Sequence, residues 1–236
     1  MAAYALLCGV AGLLPVRTLP SWNTETRNFV RQAWDIWWKQ ASPWDGLLLD
    51  PAQWRLHNQR PQNHPLRRLM AAAELFAGTI PLPQQLERLV EQDGTSAQTT
   101  MHALSHAGLN SYWAFRHGLA GPRLETPVAL IGPGRAATLL NNAIVPWLMV
   151  KHPEAPLTRG LLQDLPPEDE NRLIRHTAHA LFGHDHNPTL YRTGLRQQGL
   201  LQCFHDFCLD RRTGCGDCPF PDWLRHQKAY DAVART

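Results

Sequence analysis

Residues 24–40 read TETRNFVRQAWDIWWKQ. Phe29, Val30, Trp34, Trp37 and Trp38 recur at helical spacing, and nothing in the stretch alternates as a strand would. Thr24 is the expected N-cap, with Glu25 in the first turn to complement the helix dipole. The three tryptophans read as core or domain-interface anchors rather than platforms for stacked bases. The period continues in both directions. Toward the N-terminus, MAAYALLCGVAGLLP (1–15) is apolar throughout. It is shorter than the about 20 residues of a membrane span and lacks the basic n-region of an export signal. It reads as a buried helix stopped by Pro15. The expected compartment is therefore the reducing cytoplasm, where structural disulfides are disfavoured.

Toward the C-terminus, RPQNHPLRRLMAAAELFAG (60–78) offers Asn63 as a cap, Pro65 for the first turn and Gly78 as a stop. PQQLERLVEQ (83–92) and SAQTTMHALSHAG (96–108) are short amphipathic segments. GRAATLLNNAIVPWLMVKH (134–152) should kink at Pro146. PPEDENRLIRHTAHALFG (166–183) opens on prolines and carboxylates, as a helix start does, with Glu168, Asp169 and Glu170 read as N-terminal helix charge. TLYRTGLRQQGLLQCFHDFCLD (189–210) and PDWLRHQKAYDAVA (221–234) complete the series. GLAGPRLETPVALIGPG (118–134) is the expected linker or loop, and Pro127–Ile131 is the only place for a short strand. The predicted fold is all-α, a compact bundle of roughly eight or nine short helices with a C-terminal cysteine-rich metal loop. The helical domain is expected over 1–200, and the metal loop with its packed C-terminal helix over 201–236.

The chain's 236 residues, 44% of them hydrophobic, suffice for a core without covalent staples. A net charge of +3 permits a nucleic-acid partner without requiring one. There is no Walker loop, dinucleotide fingerprint, nucleophile elbow or HExxH motif. Four of the five cysteines, Cys203, Cys208, Cys215 and Cys218, fall within sixteen residues. The CGDC pair forms a knuckle of two thiolates, with Gly216 to let the backbone fold around an ion. Cys208 sits where the preceding helix should end. The fourth ligand is Cys203, His205 or His226. Tetrahedral zinc or a 4Fe-4S cluster would suit such thiolates as cofactor.

The spacing Cys208-x6-Cys215-x2-Cys218 resembles three quarters of the iron–sulfur loop that ends helix-hairpin-helix DNA glycosylases. That family's fourth cysteine falls where this chain has Leu224. LIGPGRAATLL (130–140) resembles the hairpin of the same superfamily, but its catalytic lysine and aspartate have no counterpart after Arg135. A wider resemblance runs from about Ala5 to Pro221. ALLCGVAGLLP, RPQNHPLRRLMAAAELF, NNAIVPWL, PEDENRLIR, RQQGLLQCFHDFC and CGDCPFP occur in the order found in the C-terminal half of the bacterial domain-of-unknown-function family 2851. The most specific motif is Arg60-Pro61-x-Asn63-x-Pro65-x-x-Arg68-Leu69. Members are usually longer. The resemblance implies an N-terminal half of restriction-type nuclease fold that is either absent or carried on a separate polypeptide.

Arg60, Asn63, His64, Arg67 and Arg68 gather at a helix start, and Arg135 follows the Gly-Pro-Gly turn. Arg60, Asn63, Arg67, Arg68 and Arg135 are the candidate phosphate-binding residues, because guanidinium groups and helix N-termini both favour anions. Arg68 is the one expected to be buried. Asn141 and Asn142, in an apolar helix, should bond to loop backbone. His176, His179, His184 and His186 read as a solvated helix end. These features together predict a helical, metal-binding module that binds nucleic acid or a nuclease-like partner and lacks its own complete active site. The alternative is a glycosylase- or lyase-like enzyme with a structural cluster.

Overall fold

A computed structural model describes residues 1–77, 80, 82–91, 95–169, 171–209 and 215–233. The expected stop at Gly78, the helix charge at Glu170 and the loop 210–214 lie outside the described residues. Among the described residues the secondary structure is entirely helical, and the Pro127–Ile131 strand does not form. No helix there is long and apolar enough to cross a membrane. The chain divides into two compact units, Met1–Ala136 and Ala137–Thr236. This division differs from the expected one after residue 200, which lies inside a helix, Gly194–Phe207.

In the first unit, α1 (Ala2–Val10) packs on α2 (Thr24–Gln40) and α3 (Pro65–Phe76). The cap of α2 is Asn23 rather than Thr24. Its side chain accepts from the Thr26 N–H at 2.8 Å, and Thr24 becomes the first helical residue. Trp37 is buried, Trp34 is half-buried and bonds through Nε1 to the Pro15 carbonyl, and Trp38 is 82% exposed. α1 ends well before Pro15. Its terminal carbonyls, Val10 and Ala11, accept from the Leu49 N–H and from Trp54 Nε1, both at 2.8 Å. Those bonds satisfy a helix end that has no intrahelical partners left. Gly12 then turns the chain with φ +67°, where a Cβ would meet the Leu49 carbonyl oxygen at 2.7 Å. α4 (Leu82–Val90) and α5 (Ala97–His106) follow, the latter begun by a Ser96–Thr99 capping box.

The irregular segment 107–132 is packed, not draped over the surface. Trp113, Ala114, Leu130 and Ile131 are buried. Phe29 of α2 stacks on Tyr112 at 4.6 Å between ring centroids and meets Trp113 edge-on. Arg116 is buried against Glu25 at 2.5 Å. This segment therefore closes the core of its own unit, as an irregular stretch can only when its backbone polar groups find partners.

The division falls within α6 (Pro133–Leu139). A π turn, Leu140–Ile144, connects it to α7 (Val145–Lys151). The expected break at Pro146 takes this form. Proline has no N–H for the carbonyl four residues back, and the wider turn absorbs the mismatch, with the Val145 N–H bonding to Leu140 O five residues back. α8 (Pro156–Gln163) packs on α7, and α9 (Arg172–Phe182) on α10 (Gly194–Phe207). Ile174, Ala178, Tyr191 and Leu200 form the core between α9 and α10. α11 (Phe220–Val233) follows the cysteine segment. α9 starts later than its prolines and carboxylates suggest. Asn171 caps it by accepting from Leu173 and Ile174 N–H, and Glu168 lies outside the helix.

Candidate functional site

In the first unit the turn Pro61–Asn63 leads into α3, whose cap is His64 rather than Asn63. His64 Nδ1 accepts from the Leu66 N–H at 3.3 Å. That frees the Asn63 side chain, and its Oδ1 accepts from two arginines: Arg135 Nη2 at 2.6 Å and Arg68 Nη2 at 3.1 Å. Asn63 and Arg68 are exposed, and Arg135 is half-buried. Burial, and after it the charge of Arg68, lowers the Arg135 pKa from its ordinary value. Among the unit's described residues the ion pairs join Glu25 to Arg116 and Arg123. Among the described residues no carboxylate pairs with Arg60, Arg68 or Arg135. Arg60 is exposed at the head of the turn, and its side chain makes none of these contacts.

Arg67 corrects the expectation. It is 2% exposed and points into the unit. Its Nη1 donates to the carbonyls of Trp113 (2.8 Å) and Arg116 (2.5 Å), and its Nη2 to those of Val128 (3.0 Å) and Ala129 (3.4 Å). Desolvation chiefly, then the nearby Arg135 charge, lowers its pKa. Arg67 thus ties α3 to both ends of the irregular segment and is turned away from solvent. Arg68, expected to be the buried member, is the exposed one. What remains at the surface is a pair of guanidinium groups held on one amide oxygen, an arrangement suited to an oxyanion.

In the second unit, Cys208 ends α10, and its N–H bonds to Phe204 O at 2.9 Å. Cys203 is half-buried, and its pKa is raised by desolvation, then by the charges of Asp206 and Cys208. The CGDC stretch closes into a turn, with the Cys218 N–H bonding to Cys215 O at 3.3 Å. Gly216 is not among the described glycines with positive φ, so the turn does not use its conformational freedom. Phe207 meets Phe220 at 5.1 Å and Trp223 at 5.7 Å. This aromatic cluster holds the end of α10 against the start of α11, at the two ends of the cysteine segment. The cysteines are not in disulfides. Among the described residues no group of three or more His, Cys, Asp or Glu side chains is placed to hold a metal ion.

The histidines gather at the end of α9, with His179 4.6 Å from His184 and 5.4 Å from His186 between ring centroids. His186 contacts the Gly183 carbonyl and the Tyr191 hydroxyl. Asn141 bonds to loop backbone, donating to Pro166 O at 2.8 Å, and also to the Glu168 carboxylate. Glu168 is therefore not a helix-dipole charge. Gln197, Gln198 and Asn171 join it around a small polar pocket. The available signal for these was an amide pair, Gln197-Gln198, beside the apolar positions Leu200 and Leu201 of α10.

Fold and sites together define an all-helical protein of two units, one carrying two arginines gathered on Asn63 and the other four cysteines that form no disulfide. The chain belongs to the family described as protein of unknown function (DUF2851), which it matches over residues 1–170. No curated protein and no solved structure matches it.

Proposed function

We propose that the chain is a helical metal-binding module that engages nucleic acid through Arg60, Asn63, Arg68 and Arg135. It acts in the cytoplasm beside a nuclease-like partner subunit and has no complete active site of its own. The observation that carries this reading is the pair of guanidinium groups gathered on Asn63 Oδ1 with no carboxylate paired to them among the described residues. Each guanidinium has five N–H donors, most of them left for an anion. Phosphate contacts release counterions, with a log–log salt slope of roughly −0.9 per phosphate neutralised on duplex DNA. The double variant Arg68→Ala/Arg135→Ala should weaken binding and flatten the salt slope by about two. Binding whose affinity and salt slope are unchanged in a folded double variant refutes the nucleic-acid reading.

The metal half of the proposal rests on donor chemistry. Cys203, Cys208, Cys215 and Cys218 are soft ligands suited to zinc or a 4Fe-4S cluster, and the aromatic cluster around Phe207 supports a loop stapled at its base. Metal analysis and visible absorption of anaerobic protein distinguish the two cofactors. Cys215→Ser should lose metal and melt earlier, and a variant with full metal content refutes this half. Exposed apolar side chains between Trp38 and Leu49, among them Trp44, Leu47 and Leu48, support the partner subunit. The glycosylase- or lyase-like alternative has only the cysteine spacing and hairpin likeness behind it and is not adopted.

A further inference from the structure

The geometry points to a binding site for a small organic cation, of guanidinium or alkylammonium type, at the Glu168 carboxylate in the unit Ala137–Thr236. The segment before α9 is clamped by its backbone. Gln197, 6% exposed, accepts from the Glu168 N–H at 2.8 Å and donates back to Glu168 O at 3.0 Å. Leu165 O accepts from the Gly194 N–H at 2.9 Å, and Pro166 O from Asn141 Nδ2. Gly194 lies so close that a Cβ there would sit 2.4 Å from Pro166 O. The loop therefore needs no latch from the Glu168 side chain.

That side chain is instead presented. Thr138 Oγ1 donates to its Oε2 at 2.9 Å, and Asn141 and Asn142 donate to its Oε1 at 3.1 and 2.9 Å. All three donors are neutral, so the carboxylate is oriented while its charge has no cation beside it among the described residues. A carboxylate offers about four lone-pair sites, so acceptor capacity remains. The pocket it shares with Asn142, Asn171, Gln198, Ile174 and Leu201 has a volume of about 140 Å³. That far exceeds the roughly 10–15 Å³ that one water requires. Asn142 Oδ1 is held toward Gln198 Nε2 at 3.2 Å, adding an oriented amide. A ligand rich in N–H donors, positively charged, with a short apolar stem against Ile174 and Leu201, satisfies these groups.

The test is titration of the full chain with methylguanidinium and with methylammonium, followed through the side-chain amide resonances of Asn142, Asn171 and Gln198, with sodium chloride as ionic-strength control. Saturable shifts at these amides are expected with at least one organic cation and not with sodium. Glu168→Gln should weaken binding about tenfold, because a charge-assisted contact becomes a neutral one. Gln198→Lys places an ammonium in the same space from an accessible helix position and should abolish binding with the melting temperature retained. This variant decides the matter should Glu168→Gln fail to fold. Shifts reproduced by sodium, an affinity unchanged in Glu168→Gln, shifts that survive Gln198→Lys, or no saturable shift with either cation overturn the assignment.

Discussion

Replacing Arg67 should unfold the first unit far more readily than replacing its neighbour Arg68. The guanidinium of Arg67 serves four carbonyls, two of them, Trp113 and Arg116, through fully buried bonds. Arg67→Ala leaves these two without donors, at about 1–3 kcal/mol each. The Val128 and Ala129 carbonyls are part-buried and can recover water, so they add less. A loss of about 3–5 kcal/mol follows, against a total stability of about 5–15 kcal/mol for a domain. Arg67→Lys should recover only part of this, because one ammonium cannot span carbonyls at both ends of the 113–129 segment. Urea denaturation, read by tryptophan fluorescence, measures the change, since Trp113 lies beside the bonds that are lost. Arg68→Ala, an exposed change, should stay within about 0.5 kcal/mol. If Arg67→Ala costs less than about 1 kcal/mol, the buried bonds do not hold the segment and the reasoning fails.

Two further perturbations test the first unit. A Cβ at Gly9 would lie 2.2 Å from the Trp37 ring, so Gly9→Ala should destabilise by about 1–3 kcal/mol despite alanine's helix propensity, as a thermal melt would show. Burial pushes the Cys8 thiol from 9.0 up to about 12, so the folded state keeps its proton where the unfolded chain loses it. Stability should therefore fall as pH rises above 9, by about 1 kcal/mol near pH 10, and Cys8→Ala should lack this component of the decline. The same burial should keep Cys8 unreactive toward iodoacetamide in native protein at neutral pH.

Helical period was legible because it repeats, and every segment read as helical contains a helix in the structure. The boundaries were harder to read because several residues competed for one role. Asn23 and Thr24 are both good caps, and side-chain reach to the Thr26 N–H decided for Asn23. At α3 the expected cap, Asn63, was displaced by His64, whose ring nitrogen could serve Leu66. The displacement matters for the candidate site, because an Asn63 engaged in capping could not have gathered Arg68 and Arg135. Glu168 misled for a related reason. A carboxylate next to prolines at a helix start resembles dipole compensation, yet the helix begins at Arg172 and Glu168 answers two amides that lie far away in sequence.

The exchange of roles between Arg67 and Arg68 has a cause that no local pattern contains. The two residues are adjacent on one helix and about 100° apart around it, so one faces inward if the other faces out. Amphipathicity cannot choose between two identical side chains. The choice is made by the segment 113–129, which is irregular and packed and so brings buried carbonyls that no helix or sheet satisfies. Arginine carries several donors in a planar fork and no acceptor, which suits it to collect carbonyls from separate stretches of backbone. Arg67 is the residue whose direction from α3 meets them. Its commitment inward also conditions the surface. With Arg67 turned inward, Arg68 and Arg135 gather on Asn63 without it, and the charge they present is their own. Variants of Arg67 that still fold should therefore keep salt-sensitive binding, whereas folded variants of Arg68 should lose part of it.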